Sequence, residues 1–531
     1  MLELVYMANS SSSFRILLYV LPSVLVLGLI SLLPPKGSSW AMISPSSSNT
    51  NVDAVKAPPS ASQMRDKPLK SGSDMVAGHG DKKEAISYGA VLNFSTSPPQ
   101  AEQASQVQQF SESDDAASRG NSSSPSINES PSLPLSPKRR RVKTNLDKLE
   151  IGLLQARAAI RAAAAANGSR VQDPDYIPSG PIYLNAKAFH RSYLEMEKRF
   201  KIFVYREGDP PLFHDGPCYN LYTIEGIFIN KLQIDKHFQT QDPENAHVFF
   251  LPYSVFGMVH YVWKKGTYFT AIGNIIKDYV ELIARKHQYF NRSLGTDHFM
   301  LSCHDWAPIT SLYAPHLAEN SIRALCNANS SEGFNPVKDV SVPEINLKIN
   351  KLDTLIGGLS PSKRSILAFF AGGNHGPVRP LVFKHWENKD PDIQVHNHLR
   401  KGVSYQNLMR SSKFCLCPSG YEVASPRITE SLYNGCVPVL ISKSYVPPFS
   451  DVLKWKSFAV IISLEDIPNL KKILMGIPDR QYIKMQRRAV QVARHFQINT
   501  PPKRFDVFHM ILHSIWLRRI NIRVNERNKL L

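Results

Sequence analysis

Residues 414–442 read FCLCPSGYEVASPRITESLYNGCVPVLIS, and this stretch decides the fold. An apolar run closes at Pro418 and a loop of small residues follows. Ser425 then stands as a helix N-cap, with Pro426 at the first helical position. Gly435 ends that helix, and the β-branched run 437–441 forms the next strand. Strand, loop, helix and strand make one βαβ unit. Its loop and helix start present N–H groups and the positive end of the helix dipole, which together favour a phosphate. Arg427, in the first turn, reaches that phosphate. Glu430, three residues on, shares its face at the distance of a ribose diol beyond a diphosphate. The competing reading is an ordinary surface ion pair between Arg427 and Glu430.

Working outward, the polar linker 357–364 marks a domain boundary, and the run 366–370 opens a second group of strands. Gly372, Gly373 and Gly376 follow directly, with Arg379 just beyond. Glycine lets backbone approach a phosphate closely and Arg379 can pair with it, although the spacing is neither a dinucleotide fingerprint nor a Walker loop. Together with Ser419, Glu422 and Ser425 the glycines form two walls of a nucleotide pocket.

Upstream, the apolar runs 202–205, 248–251 and 299–302 alternate with helical segments, as in a mainly parallel, doubly wound sheet that binds ligands at the carboxyl ends of its strands. Cys303, His304, Asp305 and Trp306 fall at such an end. His304 or Asp305 can take a proton from an acceptor hydroxyl, and Trp306 offers a flat face to a sugar ring. The competing reading makes Asp305 a turn cap and His304 a structural donor. Spacing does not choose between the two as base.

The first third of the chain differs. After a short tail, 1–13, residues 14–33 (FRILLYVLPSVLVLGLISLL) have the length and apolarity of a bilayer span, and we expect a signal anchor rather than a cleaved signal peptide. Residues 34–180 form a stem rich in Ser, Pro, Gln and Asp, disordered for want of a core. A helix is expected near 144–166, carrying Leu146, Leu149, Leu153, Leu154 and Ile160. It pairs with a second chain as a coiled coil or rests on the catalytic part. Sequons at Asn93, Asn121, Asn128, Asn167, Asn291 and Asn329 suit a chain facing the secretory lumen. The run PKRRRVK, 137–143, suggests nucleic acid, but a lumenal stem never meets it and no aromatics are interleaved, so no nucleic-acid partner is expected.

With 531 residues and 43% hydrophobic content the chain can bury a large core. Its net charge of +19 implies anionic partners, a nucleotide sugar among them. Six cysteines in a lumenal chain imply one or two disulfides, with pairing unreadable; Cys415 and Cys417 alternate on one strand. No C-x-x-C, H-E-x-x-H or D-x-D at a suitable strand end supports a metal, so no metal or cofactor is expected. Charge on a departing diphosphate then falls to Arg427, Arg379 and helix-end N–H groups.

The stretch 414–442 resembles the signature of plant exostosin-like glycosyltransferases. So do KIFVYREGDPP from 201, HVFFLPYS from 247, DHFMLSCHDW from 297, ILAFFAGGNHGPVRP from 366 and RFDVFHMILHSIWLRR from 504, in the family's order. The similarity runs from 198 to 519. It implies an α/β fold of two Rossmann-like domains facing across a cleft (GT-B type), 181–360 for the acceptor and 361–531 for the nucleotide sugar. The amphipathic helix 504–519 crosses back onto the first domain or, alternatively, stays in the core of the second. Glu422 and Glu430 resemble the family's paired glutamates, one near the donor sugar and one on the ribose. The resemblance further implies a single-pass type II Golgi membrane enzyme performing inverting, metal-independent transfer from a UDP-linked sugar to a cell-wall polysaccharide such as a hemicellulose or pectin. The alternative is a catalytically silent scaffold or polysaccharide-binding partner in a Golgi synthase complex, joined as a homo- or hetero-oligomer through the stem.

Overall fold

The computed structural model describes residues 143–165, 173, 175–264, 268–347 and 356–524. The expected tail, the anchor 14–33, the stem to 142 and the sequons at Asn93, Asn121, Asn128 and Asn167 lie outside the described residues. Among the described residues no helix is long and apolar enough to cross a membrane.

Two parallel sheets carry the architecture. The first contains β1 (Ile202–Val204), β2 (Gln239–Thr240), β3 (Val248–Phe250), β4 (His298–Ser302), β5 (Ile322–Leu325) and β6 (Val340–Ser341), in the order β2-β1-β3-β4-β5-β6. The second contains β7 (Ile366–Ala371), β8 (Ile393–His396), β9 (Ser412–Pro418), β10 (Val437–Ile441) and β11 (Val460–Ile462), in the order β11-β10-β9-β7-β8. β3, β4 and β10 are buried at every position, which is why they read as unbroken apolar runs instead of alternating ones. In the second sheet, β8 lies outside β7 while β9 and β10 lie on its other side. The order in which strands are added therefore reverses between β7 and β9, the switch point at whose strand ends a sheet of this kind has its ligand crevice.

One apolar core spans both halves, joining Val248, Phe299 and Ala324 of the first to Ile428, Leu432 and Phe496 of the second. The closing helix Val507–Asn521 crosses back to the first half. Its Trp516 Nε1 and His513 Nε2 reach the Ser192 hydroxyl, at 3.2 and 3.0 Å, on the helix Ala186–Arg199.

The helix Asn145–Ala165 rests on this body, burying Leu146, Leu153 and Ala156. Of the two expectations for this helix, the one met is that it rests on the catalytic part, because the helix spends its apolar face on its own chain. Leu154, expected in the stripe, is 49% exposed, while Glu150 is buried on Arg519 at 2.6 Å. Arg519 also donates to the His247 carbonyl, so a charged pair replaces a leucine contact at the centre of this packing.

Candidate active site

The loops after β7 and β9 touch at the crevice. Gly376 has φ of 72°, and a Cβ there would run into the Gly420 carbonyl; a Cβ on Gly372 would fall on the Arg427 guanidinium. At Gly376 the close approach is to backbone and requires glycine, whereas at Gly372 a side chain would displace the arginine from its place. Arg427 begins the seven-residue helix Arg427–Tyr433 and reaches back so that Nε and Nη2 donate to the Ala371 carbonyl at 3.2 and 3.0 Å. Its guanidinium lies 5.2 Å from the centre of the Phe370 ring, and that of Arg379 lies 5.8 Å from the same ring. Arg379 donates to the Gly373 carbonyl at 3.1 Å and to His375 Nε2. Burial, and then the Arg427 charge, lowers Arg379 to about 10. His375 is pushed down too, by burial and then by both arginines, and stacks 4.9 Å from Tyr421 as a neutral ring. Among the described residues neither arginine has a carboxylate within ion-pair distance. Two guanidiniums beside one ring at the strand ends are an arrangement that can hold an anion.

Glu430 lies one turn along the helix and accepts from the Tyr405 hydroxyl at 2.8 Å, not from Arg427. The surface ion pair is thereby set aside. Ser425 is a correction: its hydroxyl is buried without a partner among the described groups, Pro426 holds the cap position, and only the Ser425 carbonyl is used, accepting from Ile428 N–H. Proline has no N–H, so the turn closes through backbone alone. Ser419 is buried and donates its N–H to the Ile441 carbonyl at 3.1 Å, extending the sheet. Glu422 is no solvated loop carboxylate. It accepts from Asn327 Nδ2 of the first half at 2.5 Å, and burial, then Glu332 and Asp305, push it up to about 7.

In the first half, β4 ends at Ser302 and Cys303 is bonded to Cys326 beyond β5. The fully buried Glu225 fixes the loop's direction. It accepts from the Ser302 and Ser254 hydroxyls, each at 2.5 Å, and from the N–H groups of Cys303 and Phe256 at 3.0 and 3.1 Å. His304 is buried, which lowers it to about 4, and its Nδ1 accepts the Trp306 N–H at 3.1 Å. The neutral ring therefore carries its proton on Nε2 and has no free lone pair for a base. Asp305 is raised by burial and held by the Tyr222 hydroxyl. Trp306 is half-buried, with its ring 5.6 Å from that of His304.

Sequence reasoning missed Glu344. It follows β6 at the carboxyl end of the first sheet, is buried, and is pushed up to about 8, first by burial and then by Asp305; Glu430 adds to this, while Arg427 and Arg379 oppose it. Its carbonyl accepts from Thr429 Oγ1 at 3.2 Å, next to Arg427, while Ile345 bridges Tyr222. Glu344 thus stands where the two halves meet. Recognising 340–342 as a strand would have placed it at a strand end.

Of the sequons in the described part, Asn291 is exposed. Asn329 is 7% exposed, caps a turn by accepting from Ser331 N–H and bridges Tyr445, so the folded chain does not present it to a glycan.

The pattern of the Exostosin GT47 domain matches residues 196–477. A probable glycosyltransferase of Arabidopsis thaliana is 62% identical over 402 residues, 76% of this chain and 77% of that one. A probable β-1,4-xylosyltransferase of the same plant is 25% identical over 338 residues, 60% of this chain and 81% of its own. Among solved structures, a glycosyltransferase from Rickettsia africae ESF-5 is 10% identical, with a TM-score of 0.30 over 60% of this chain and 98% of that one. Matched over more than half its length by the domain pattern, and over three quarters by a relative of this identity, the chain belongs to the exostosin GT47 family of glycosyltransferases.

Proposed function

We propose that this glycosyltransferase moves a sugar from a nucleotide-sugar donor, UDP-linked, to a plant cell-wall polysaccharide, with inversion and without a metal. The observation that carries the reading is the contrast of side chains across one crevice, guanidiniums on one side and carboxyl groups on the other. Arg379 and Arg427 lie on the side of the second half, while Asp305 and Glu344 come from the first. In this GT-B arrangement the diphosphate lies on the two guanidiniums, the ribose diol on Glu430 and the donor sugar toward Glu422. The acceptor hydroxyl gives its proton to Asp305, its oxygen bonds to the anomeric carbon, and the bond to the diphosphate breaks on the opposite side. The departing charge is met by the arginines. Asp305 takes the proton because His304 Nδ1 is committed to the Trp306 N–H; His304 is then a hydrogen-bond donor.

The setting is a Golgi lumen reached by a type II anchor at 14–33. Two disulfides, Cys303–Cys326 and Cys415–Cys436, and the exposed sequon at Asn291 support an oxidising secretory compartment. The test is a thermal-shift screen of the full-length purified chain against nucleotide sugars and free nucleotides, with and without EDTA. A ligand of the native state raises the melting temperature by mass action. A selective shift that survives EDTA is expected and names the donor. No shift with any nucleotide in folded protein would leave the scaffold reading in its place.

A further inference from the structure

Aromatic rings continue outward from the reacting groups. His304 leads to Trp306 at 5.6 Å, and Trp306 meets Trp263 at 5.6 Å and Phe269 at 6.3 Å, edge to face at each step. A second run leaves Tyr222, which holds Asp305: 5.7 Å to Phe256, 6.0 Å on to His260 in parallel, and 4.6 Å to Tyr261. The second run ends in solvent at Tyr261, 61% exposed; the first ends at Trp263 and Phe269, and Tyr268, the residue before Phe269 in the chain, is 78% exposed. A single exposed tyrosine needs no explanation. Two series of rings that start from the touching pair His304 and Tyr222, 5.0 Å apart beside the proposed base, one of them surfacing at Tyr261 and the other running out beside the exposed Tyr268, have the form of a binding surface.

We propose that these rings seat an extended acceptor chain, so that several sugar units beyond the reacting one are held on the first half of the molecule. This rests on the transferase reading above. A pyranose ring shows a face of C–H groups that suits the negative face of an aromatic ring, and its hydroxyls stay in water at the edges. Equatorial β-1,4 linkages keep such a chain straight and repeat that flat face along its length. A chain of α linkages coils away from a surface of this kind. The occupant is therefore a neutral β-1,4-linked pyranose chain.

The test uses the full-length chain with xylohexaose and cellohexaose, the matching disaccharides, and an acidic α-linked hexagalacturonate. Binding is read from tryptophan fluorescence, to which Trp263 and Trp306 contribute. Replacing the two surface rings, Tyr261→Ala with Tyr268→Ala, removes side chains that lie mostly in water, and an unchanged melting temperature confirms the fold. A neutral hexasaccharide is expected to bind better than its disaccharide, and the double variant to lose about tenfold for the hexasaccharide with the disaccharide unchanged. Equal hexasaccharide binding by variant and wild type overturns the proposal, as does failure of both neutral hexasaccharides to bind or preference for hexagalacturonate. A change of oligomeric state in the variant with sugar binding intact also overturns it, giving the surface to a second copy. The two readings fail separately: hexasaccharide binding that depends on the tyrosines, without any nucleotide-sugar shift, would end the transferase reading and keep the surface.

Discussion

In the first half the strand ends bring carboxyl groups to the cleft, Asp305 after β4 and Glu344 after β6; in the second they bring guanidiniums, Arg379 after β7 and Arg427 after β9. The scaffolds are otherwise alike. Each is a parallel sheet with one disulfide, Cys303–Cys326 just past the carboxyl ends of β4 and β5, and Cys415–Cys436 from within β9 to the residue before β10. The fold supplies two sets of strand ends; in the proposed mechanism the carboxyl groups placed on one set serve proton transfer and the guanidiniums on the other serve the phosphate. Glu422 and Glu430 do not blur the contrast, because Asn327 and Tyr405 each hold one of them by a hydrogen bond.

The contrast breaks most sharply at Asp305. Asp305→Asn keeps the shape and removes the proton acceptor, so transfer should fall by about 10²–10⁴ while the donor-induced thermal shift persists. Undiminished transfer would move the base elsewhere. Arg427→Ala tests the other half. Loss of one donor to developing negative charge should slow transfer by about 10²–10³ and shrink the shift with the free nucleoside diphosphate. A variant with full affinity and rate would deny the second half its phosphate role. Glu430→Ala should weaken nucleotide-sugar binding about tenfold in calorimetry, the worth of a hydrogen bond to a charged group. Inorganic pyrophosphate, which has no ribose, should bind as before; equal weakening of both ligands would show that Glu430 acts through Arg427.

The second half is legible in the sequence because its signals are local. β9, the turn into the helix Arg427–Tyr433, Gly435 with φ of 60° and the run of β10 follow one another within thirty residues, each with its own residue chemistry. The first half hides more. β6 is a two-residue strand, too short to show a period, so Glu344 after it reads as one more loop carboxylate. Glu225 sits in a helix that shows no sign of four donors arriving from β4 and the loop before residue 256. The helix Asn145–Ala165 has the right length in the sequence, but its partner, Arg519, lies 369 residues from Glu150, and no pattern within the helix points there. The proton acceptor could not be chosen from spacing, since the choice depends on which ring nitrogen of His304 the Trp306 N–H occupies.

Glu344 gives the finest test of the contrast, because its burial makes a sign prediction. A free glutamate titrates near its ordinary 4.5, whereas in the fold it is pushed up to about 8. Between those values the folded chain still holds a proton that the unfolded chain has released. Stability therefore falls as pH rises through that window, opposite to a carboxylate paired with a cation, by up to about 1.4 kcal/mol per pH unit from this group. Glu344→Gln keeps the shape and the neutral state and abolishes that slope. The variant and the wild type should melt together near pH 5, and the variant should melt several degrees higher near pH 8, about 2–4 °C for each kcal/mol recovered in a chain of this size. Arg379 and Arg427 oppose the upward push on Glu344, so removing either should carry the wild-type loss on to higher pH. An equal difference at both pH values would mean that Glu344 is ionised throughout, and the two guanidiniums would then share a carboxylate partner, leaving the second half one surplus positive charge instead of two for a diphosphate.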